Sequence, residues 1–224
     1  MNWPDFTVEG GSIAAGLLAM SLAVATIIVG IWVTYVTYRG YRQSDDQPTL
    51  FLAVGIALAF AVHTFARIVF PTVGASSPLT DTAAVAIQIV GLGFILYAVY
   101  GRPEHADVRI LGGVVLGGVF VFLAPIIAVE RTVVDPTTAQ DGVNAFAALV
   151  GGFVATQAYR GYRRYDSRPM LLLAAGLLLL TVGSFVGAIV VSTFSTASDA
   201  EVLAVVGGSE LAGLVLVLRS LTQD

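Results

Sequence analysis

The sequence contains no cysteine, so disulfides, thiolate metal sites and cysteine nucleophiles are excluded. It contains no lysine either, and all 11 basic side chains are arginine. Schiff-base chemistry on a lysine amine is therefore excluded too. Charge of either sign is scarce, at 12% of residues, where a soluble domain carries roughly one quarter. The two histidines, His63 and His105, are joined by no metal-ligand spacing. No Ser-His-Asp order, Gly-x-Ser-x-Gly elbow, phosphate loop or basic nucleic-acid patch is present. No cofactor, metal or nucleic acid is expected.

What fills the chain instead is apolar: 57% of residues are hydrophobic and the mean hydropathy is +0.87. Such a chain cannot cover itself with polar surface in water, and its natural solvent is lipid. The all-arginine basic set and a pI near 5.0 point to a halophilic, GC-rich archaeon, since acidic side chains hold water in concentrated salt. At molar salt the Debye length is only about 3 Å, so the acidic balance is hydration chemistry and not a steering field.

A membrane span needs about 20 mainly apolar residues. The sequence predicts seven, near 12–37, 49–70, 82–100, 109–129, 142–160, 170–192 and 200–219. The fold class expected is an all-α polytopic bundle. Pro48 and Pro169 stand at helix starts, where a missing N–H costs nothing. Pro71 and Pro78 flank the second loop, Pro103 lies in the third and Pro136 in the fourth. Pro125 is expected to bend the fourth span. The segment Met1 to Glu9 carries acids where a signal peptide has a basic region, so the first apolar run is read as a span.

Arginine placement sets the direction. Arg39, Arg42, Arg102, Arg109, Arg160, Arg163, Arg164, Arg168 and Arg219 all fall on one side of a seven-span chain, the cytoplasmic side. The other side holds Arg131 and the acids Asp5, Glu9, Asp81, Glu130, Asp135, Asp141, Asp199 and Glu201. The N-terminus is thus expected outside the cell membrane and the C-terminus in the cytoplasm.

Tyr38-Arg39-Gly40-Tyr41-Arg42 recurs as Tyr159-Arg160-Gly161-Tyr162-Arg163. The match continues through Asp45 with Asp166, Pro48 with Pro169, Gly55 with Gly176 and Leu58 with Leu179. After one slip, Gly91-Leu92 matches Gly213-Leu214. Each unit is three helices, which divides the chain into a first repeat at 1–101, a linker span at 102–135 and a second repeat at 136–224. One linking span makes the two triplets parallel, related by an axis along the membrane normal. Gly113-x-x-x-Gly117 and Gly183-x-x-x-Gly187 are small-residue patterns that let helix backbones approach. They are expected to pack internally, or to serve a homodimer in the case of the linker span.

Each triplet resembles the small three-helix membrane proteins of unknown function common in haloarchaea. Their first helix ends in Tyr-Arg-x-Tyr-Arg-Arg, which Tyr159 to Arg164 reproduces and Tyr38 to Arg42 follows with Gln43 in the last place. The resemblance implies a membrane fold in two copies and no activity. In topology alone the chain is also similar to microbial rhodopsins, but retinal has no lysine to bond.

Glu210 sits in mid-span, where an acidic side chain costs about 2–4 kcal/mol unless it is protonated, paired or wetted. It reads either as a relay or substrate contact, or as a paired acid locking two helices. His63 and Arg67 are four residues apart, hence on one helix face. Gln88 falls at a similar depth and aligns with Glu210. These four are expected to converge in the outer half of the bundle. Alternatively Arg67 snorkels to the interface and His63 is a packed neutral imidazole. The second repeat has Ser184 where the first has His63, and Ala188 where it has Arg67. Tyr38, Arg39, Arg42, Tyr159, Arg160, Arg163 and Arg164 are expected to contact lipid headgroups, or else a cytoplasmic partner.

The functional expectation is a non-catalytic membrane component: a scaffold, regulator or sensor subunit, with lipid and a homo-oligomeric or other membrane protein partner. The alternative is a small-solute or ion transporter or channel with its polar site around Glu210. An enzyme is not expected.

Overall fold

The helix boundaries follow the punctuation in the sequence. The computed structural model describes residues 13–100, 108–131, 133–194 and 198–222. They form seven helices and no strand: α1 (Ile13–Ser44), α2 (Gln47–Thr72), α3 (Ser77–Tyr100), α4 (Val108–Glu130), α5 (Pro136–Tyr165), α6 (Arg168–Phe194) and α7 (Asp199–Thr222). Pro48 and Pro169 stand in the first turns of α2 and α6. Pro136 opens α5, behind the N-cap Asp135. Pro71 and Pro125 lie inside α2 and α4. The expected positions of Asp5, Glu9, Arg102, Pro103 and His105 lie outside the described residues.

Six of the helices are long and apolar enough to cross a membrane: α1, α2, α3, α4, α6 and α7. This is the composition of a multi-pass membrane protein. The expected fifth span is a helix but does not reach the same apolarity. Gln140, Asp141, Asn144, Thr156 and Gln157 interrupt its run. It can carry them because its neighbours cover one face. Ala147, Ala148, Gly151, Val154, Ala155 and Ala158 form a buried stripe of mostly small residues.

Helix contacts close a ring in the order α1, α2, α3, α5, α6, α7 and back to α1. Two pins tie α3 to α5. Near their starts, Gln140 Nε2 donates to Asp81 Oδ2. Near their ends, the Tyr100 hydroxyl donates to the Gln157 carbonyl at 3.0 Å. Asp81 pairs with the earlier residue of α5 and Tyr100 with the later one, so α3 and α5 run parallel. Helix α4 lies outside the ring against α3 and α5. Of its apolar window only 6% is buried, against 56% for α3.

Side chains from every ring helix build one apolar plug. Val33, Ile56, Leu92, Ile95, Val154, Leu177, Leu180, Leu214 and Val217 are all buried there. The plug lies beside the Tyr-Arg ends of α1 and α5: Val33 is little more than a turn from Tyr38, and Ala158 directly precedes Tyr159.

Local geometry recurs at matched positions. Asp45 and Asp166 both take left-handed backbone, at φ 51° and 49°, and close α1 and α5. Each donates its N–H to the carbonyl four residues back, Tyr41 and Tyr162, at 2.7 Å. Tyr38–Tyr41 and Tyr159–Tyr162 ring centroids are 6.0 and 5.8 Å apart. Helices α2 and α6 each contain a π-helical turn, Ala57–Val62 and Leu179–Gly183. Gly55 meets Gly91 and Gly176 meets Gly213 so closely that a Cβ on either partner would lie 2.7–2.8 Å from the other's carbonyl oxygen.

The small-residue patterns divide. Gly183 and Gly187 pack against Ser209 and Val205 of α7, as internal packing requires. Gly113 and Gly117 have nothing within 4 Å of where a Cβ would stand, so they do not pack internally. On α4 the close contact falls one residue later, where Gly118 accommodates Val90 of α3.

Candidate functional site

The polar residues of the bundle collect at the end away from the plug. His63 and Arg67 stand one turn apart on α2, just after its π-helical turn. Such a turn widens the helix and releases a carbonyl from the regular ladder. In α6 the freed group is answered: the Leu179 carbonyl accepts from Ser209 of α7 at 2.8 Å and from Ser184 at 3.2 Å.

Two cavities meet in this half. The larger, about 530 Å³, lies among α2, α3, α5, α6 and α7. His63, Arg67, Gln88 and Glu210 all line it, so the four residues expected to converge share one wall. Asn144, Asp141 and Ser192 carry the same lining to the helix ends. The smaller cavity, about 470 Å³, lies among α1, α2, α3 and α7, with Thr64, Thr80 and Asp81 in its wall. Both include Arg67 together with Asp199, Leu203, Val206 and Glu210. Those α7 residues follow the 3.6-residue period and form one ridge that divides the space.

The chemistry of the wall is unusual for its lack of partners. His63 is 4% exposed and Gln88 8%. Among the described residues neither side chain has a hydrogen-bond partner, and the Glu210 carboxylate has no hydrogen bond and no salt-bridge contact, though it lies within electrostatic reach of Arg67. Arg67 Nε approaches Asp81 Oδ1 at 3.8 Å, too far for a hydrogen bond. Asp81 is held instead by Gln140. Thr64 and Thr80 add two buried hydroxyls without partners. A buried polar group left unmatched costs about 1–3 kcal/mol. Two such hydroxyls, Thr64 and Thr80, stand in the wall of the smaller cavity. No cluster of three or more His, Asp or Glu able to hold a metal occurs among the described residues.

Sequence reasoning missed Asp81, Gln140, Asn144 and Thr64 as parts of this wall. A signal existed for Asp81: it stands seven residues before Gln88 and so shares its face of α3. Nothing in the sequence paired it with Gln140, because that contact depends on α3 and α5 running parallel.

At the other end Tyr38, Arg39, Arg42, Tyr159, Arg160, Arg163 and Arg164 are all exposed. Arg160 Nη1 reaches Gln157 Oε1 at 3.4 Å, and Arg164 lies 5.6 Å from the Tyr165 ring centroid. These residues do not approach the cavities.

The family of unknown function DUF7521 matches residues 17–100 and 142–222. The chain belongs to this family. Two separate matches to DUF7521 are consistent with two copies of one unit, and α4 lies in the unmatched stretch between them. No curated protein and no solved structure gives a match.

Proposed function

We propose that the protein is a non-catalytic component of the cell membrane, a sensor or regulator subunit, whose polar chamber receives a small solute from the non-cytoplasmic side. In this reading all seven helices cross the bilayer, α5 included, because α5 runs parallel to α3 between pins at both ends. The two triplets insert in parallel with α4 as the linker. The N-terminus is outside and the C-terminus is cytoplasmic, as the arginine distribution requires. The Tyr-Arg segments rest at the cytoplasmic headgroups, where exposed arginines meet lipid phosphate or a membrane partner.

One observation carries the reading. The chamber lined by His63, Arg67, Gln88 and Glu210 ends against a plug to which all six ring helices contribute. A solute can enter one end of the bundle, while the other end is closed by close-packed apolar side chains. That is the layout of a receptor pocket.

The test is solute passage. Reconstituted protein is expected to pass no labelled solute across a vesicle membrane while still binding it. Flux that Glu210→Gln abolishes would overturn this reading in favour of a transporter. One observation supports that second reading: both triplets carry a π-helical turn at the boundary between plug and chamber, and such turns are places where helices can rearrange.

A further inference from the structure

We infer that the larger chamber binds a small zwitterion, with its anionic end at Arg67 and its cationic end at Glu210. The inference deepens the proposed receptor reading by naming the class of solute, and it rests on that reading for the direction of entry.

Arg67 and Glu210 project into the same cavity from different helices. The guanidinium is a rigid fork of five N–H donors, suited to gripping a carboxylate with two parallel bonds. Its salt-bridge neighbour, Asp81, stands 3.8 Å away and is already engaged by Gln140, and Glu210 lies within electrostatic reach of the same guanidinium. Among the described residues the Arg67 donors make no hydrogen bond. Glu210 is the complement: a carboxylate in mid-helix with no hydrogen bond among the described residues, which feels the Arg67 charge without a salt-bridge contact.

A cation alone would answer Glu210 and leave the guanidinium fork unused. An anion alone would do the reverse and meet the repulsion of Glu210. A molecule bearing both charges a few atoms apart answers both groups without adding net charge beside the buried His63 and Gln88, where an uncompensated ion is expensive.

His63 and Gln88 supply an independent observation. Both are more than nine-tenths buried, both line this cavity, and neither has a side-chain partner among the described residues. Together they offer uncharged donors and acceptors beside the two charges. An ammonium with three N–H donors can use Glu210 and the Gln88 carbonyl at once. Helix α6 adds apolar Leu180, Phe185, Ala188 and Ile189 to the lining, beside the hydroxyls of Thr181, Ser184 and Ser192, and these apolar side chains suit a short hydrocarbon body. Ala188 stands where the first triplet has Arg67, so the second triplet makes space at the position where the first supplies the charge.

The experiment uses purified full-length protein and divides one ligand into its halves. Alanine carries both charges, ethylamine lacks the carboxylate and propionate lacks the ammonium. Glycine and glutamine extend the series by size. Binding is read by calorimetry on the wild-type protein, so the result does not depend on a variant that might misfold. The expected result is that alanine binds, and at least about tenfold more tightly than either half. Arg67→Gln and Glu210→Gln are each expected to remove that preference, while Gly117→Ala on the outer face of α4 leaves it intact. Equal binding by ethylamine or by propionate would overturn the zwitterion assignment and leave the receptor reading standing. Failure of all three amino acids would overturn it as well. Transport of a bound amino acid across vesicles would overturn the receptor reading while leaving the ligand class in place.

Discussion

The triplet α1–α3 and the triplet α5–α7 agree in their backbone and differ in their chemistry. Matched glycines bring the second and third helix of each triplet into contact, matched aspartates close the first helix, and each second helix has a π-helical turn. Matched positions in the chamber diverge. His63, Arg67 and Gln88 stand opposite Ser184, Ala188 and Glu210. A polar side chain in a span is costly and persists where something offsets the cost. The features the two triplets share are packing features, and the positions at which they differ line the chamber of the proposed site.

The largest expected effects break the shared scaffold. Gly91→Ala would place a Cβ 2.3 Å from the Ala59 backbone nitrogen, and Gly213→Ala one 2.7 Å from the Gly176 carbonyl oxygen. Backbone cannot move aside as a side-chain tip can. Each substitution is expected to destabilise by about 1–3 kcal/mol or more, with Gly91→Ala the worse. Gly117→Ala, into open space, should change nothing beyond a few tenths of a kcal/mol. Thermal unfolding in detergent measures all three, and an equal loss for Gly117→Ala would remove the distinction between ring and linker.

Next come changes that make one triplet resemble the other. The double variant His63→Ser with Arg67→Ala gives the first triplet the residues of the second. It should keep the fold, with stability within about 1 kcal/mol of wild type, and lose solute binding altogether. A collapse of the fold would mean that these residues are structural glue. Gln140→Leu tests the pin between triplets. It should cost about 1 kcal/mol, since a hydrogen bond to a carboxylate is lost in a half-buried setting, and leave the α1–α7 side undisturbed.

The smallest effect lies at Asp135, outside the spans. Its carboxylate accepts from the Thr138 hydroxyl at 2.6 Å and the Thr138 N–H at 2.9 Å. The Thr138 bonds hold it below the ordinary carboxylate range. A depressed folded-state pKa adds stability above the unfolded value of about 3.9, and that stability is lost as pH falls through the folded value. Unfolding temperature should therefore drop on acidification in this window, and the drop should be shallower in Asp135→Asn.

Much of the fold was legible in the sequence because lipid imposes a simple rule: apolar runs of fixed length, separated by proline, glycine and charge. The two similar segments, which the two family matches also pick out, were legible from Tyr38–Arg42 and Tyr159–Arg163. The weak apolarity of α5 was less so, since a helix sheltered by α3 and α6 can keep Gln140, Asn144 and Gln157. The chamber was half legible. His63, Arg67, Gln88 and Glu210 stand out as polar residues in apolar runs. The residues that join them nearer the helix ends, Asp81 beside Arg67 and Asn144 in the lining, look like ordinary surface residues until the ring order brings their helices together. The stripe of Gly113 and Gly117 misled for the opposite reason: its pattern suits packing, but α4 turns that face outward.

The absence of native cysteine makes one labelling experiment direct. Single cysteines at Asn144, in the chamber wall, and at Val154, in the plug, are treated in intact cells with a membrane-impermeant maleimide. The account predicts that the Asn144→Cys protein is labelled from outside, that a bound zwitterion slows its labelling, and that the Val154→Cys protein stays unlabelled from either face. Labelling of position 144 only after the cytoplasmic face is opened, or ready labelling of position 154, would contradict it.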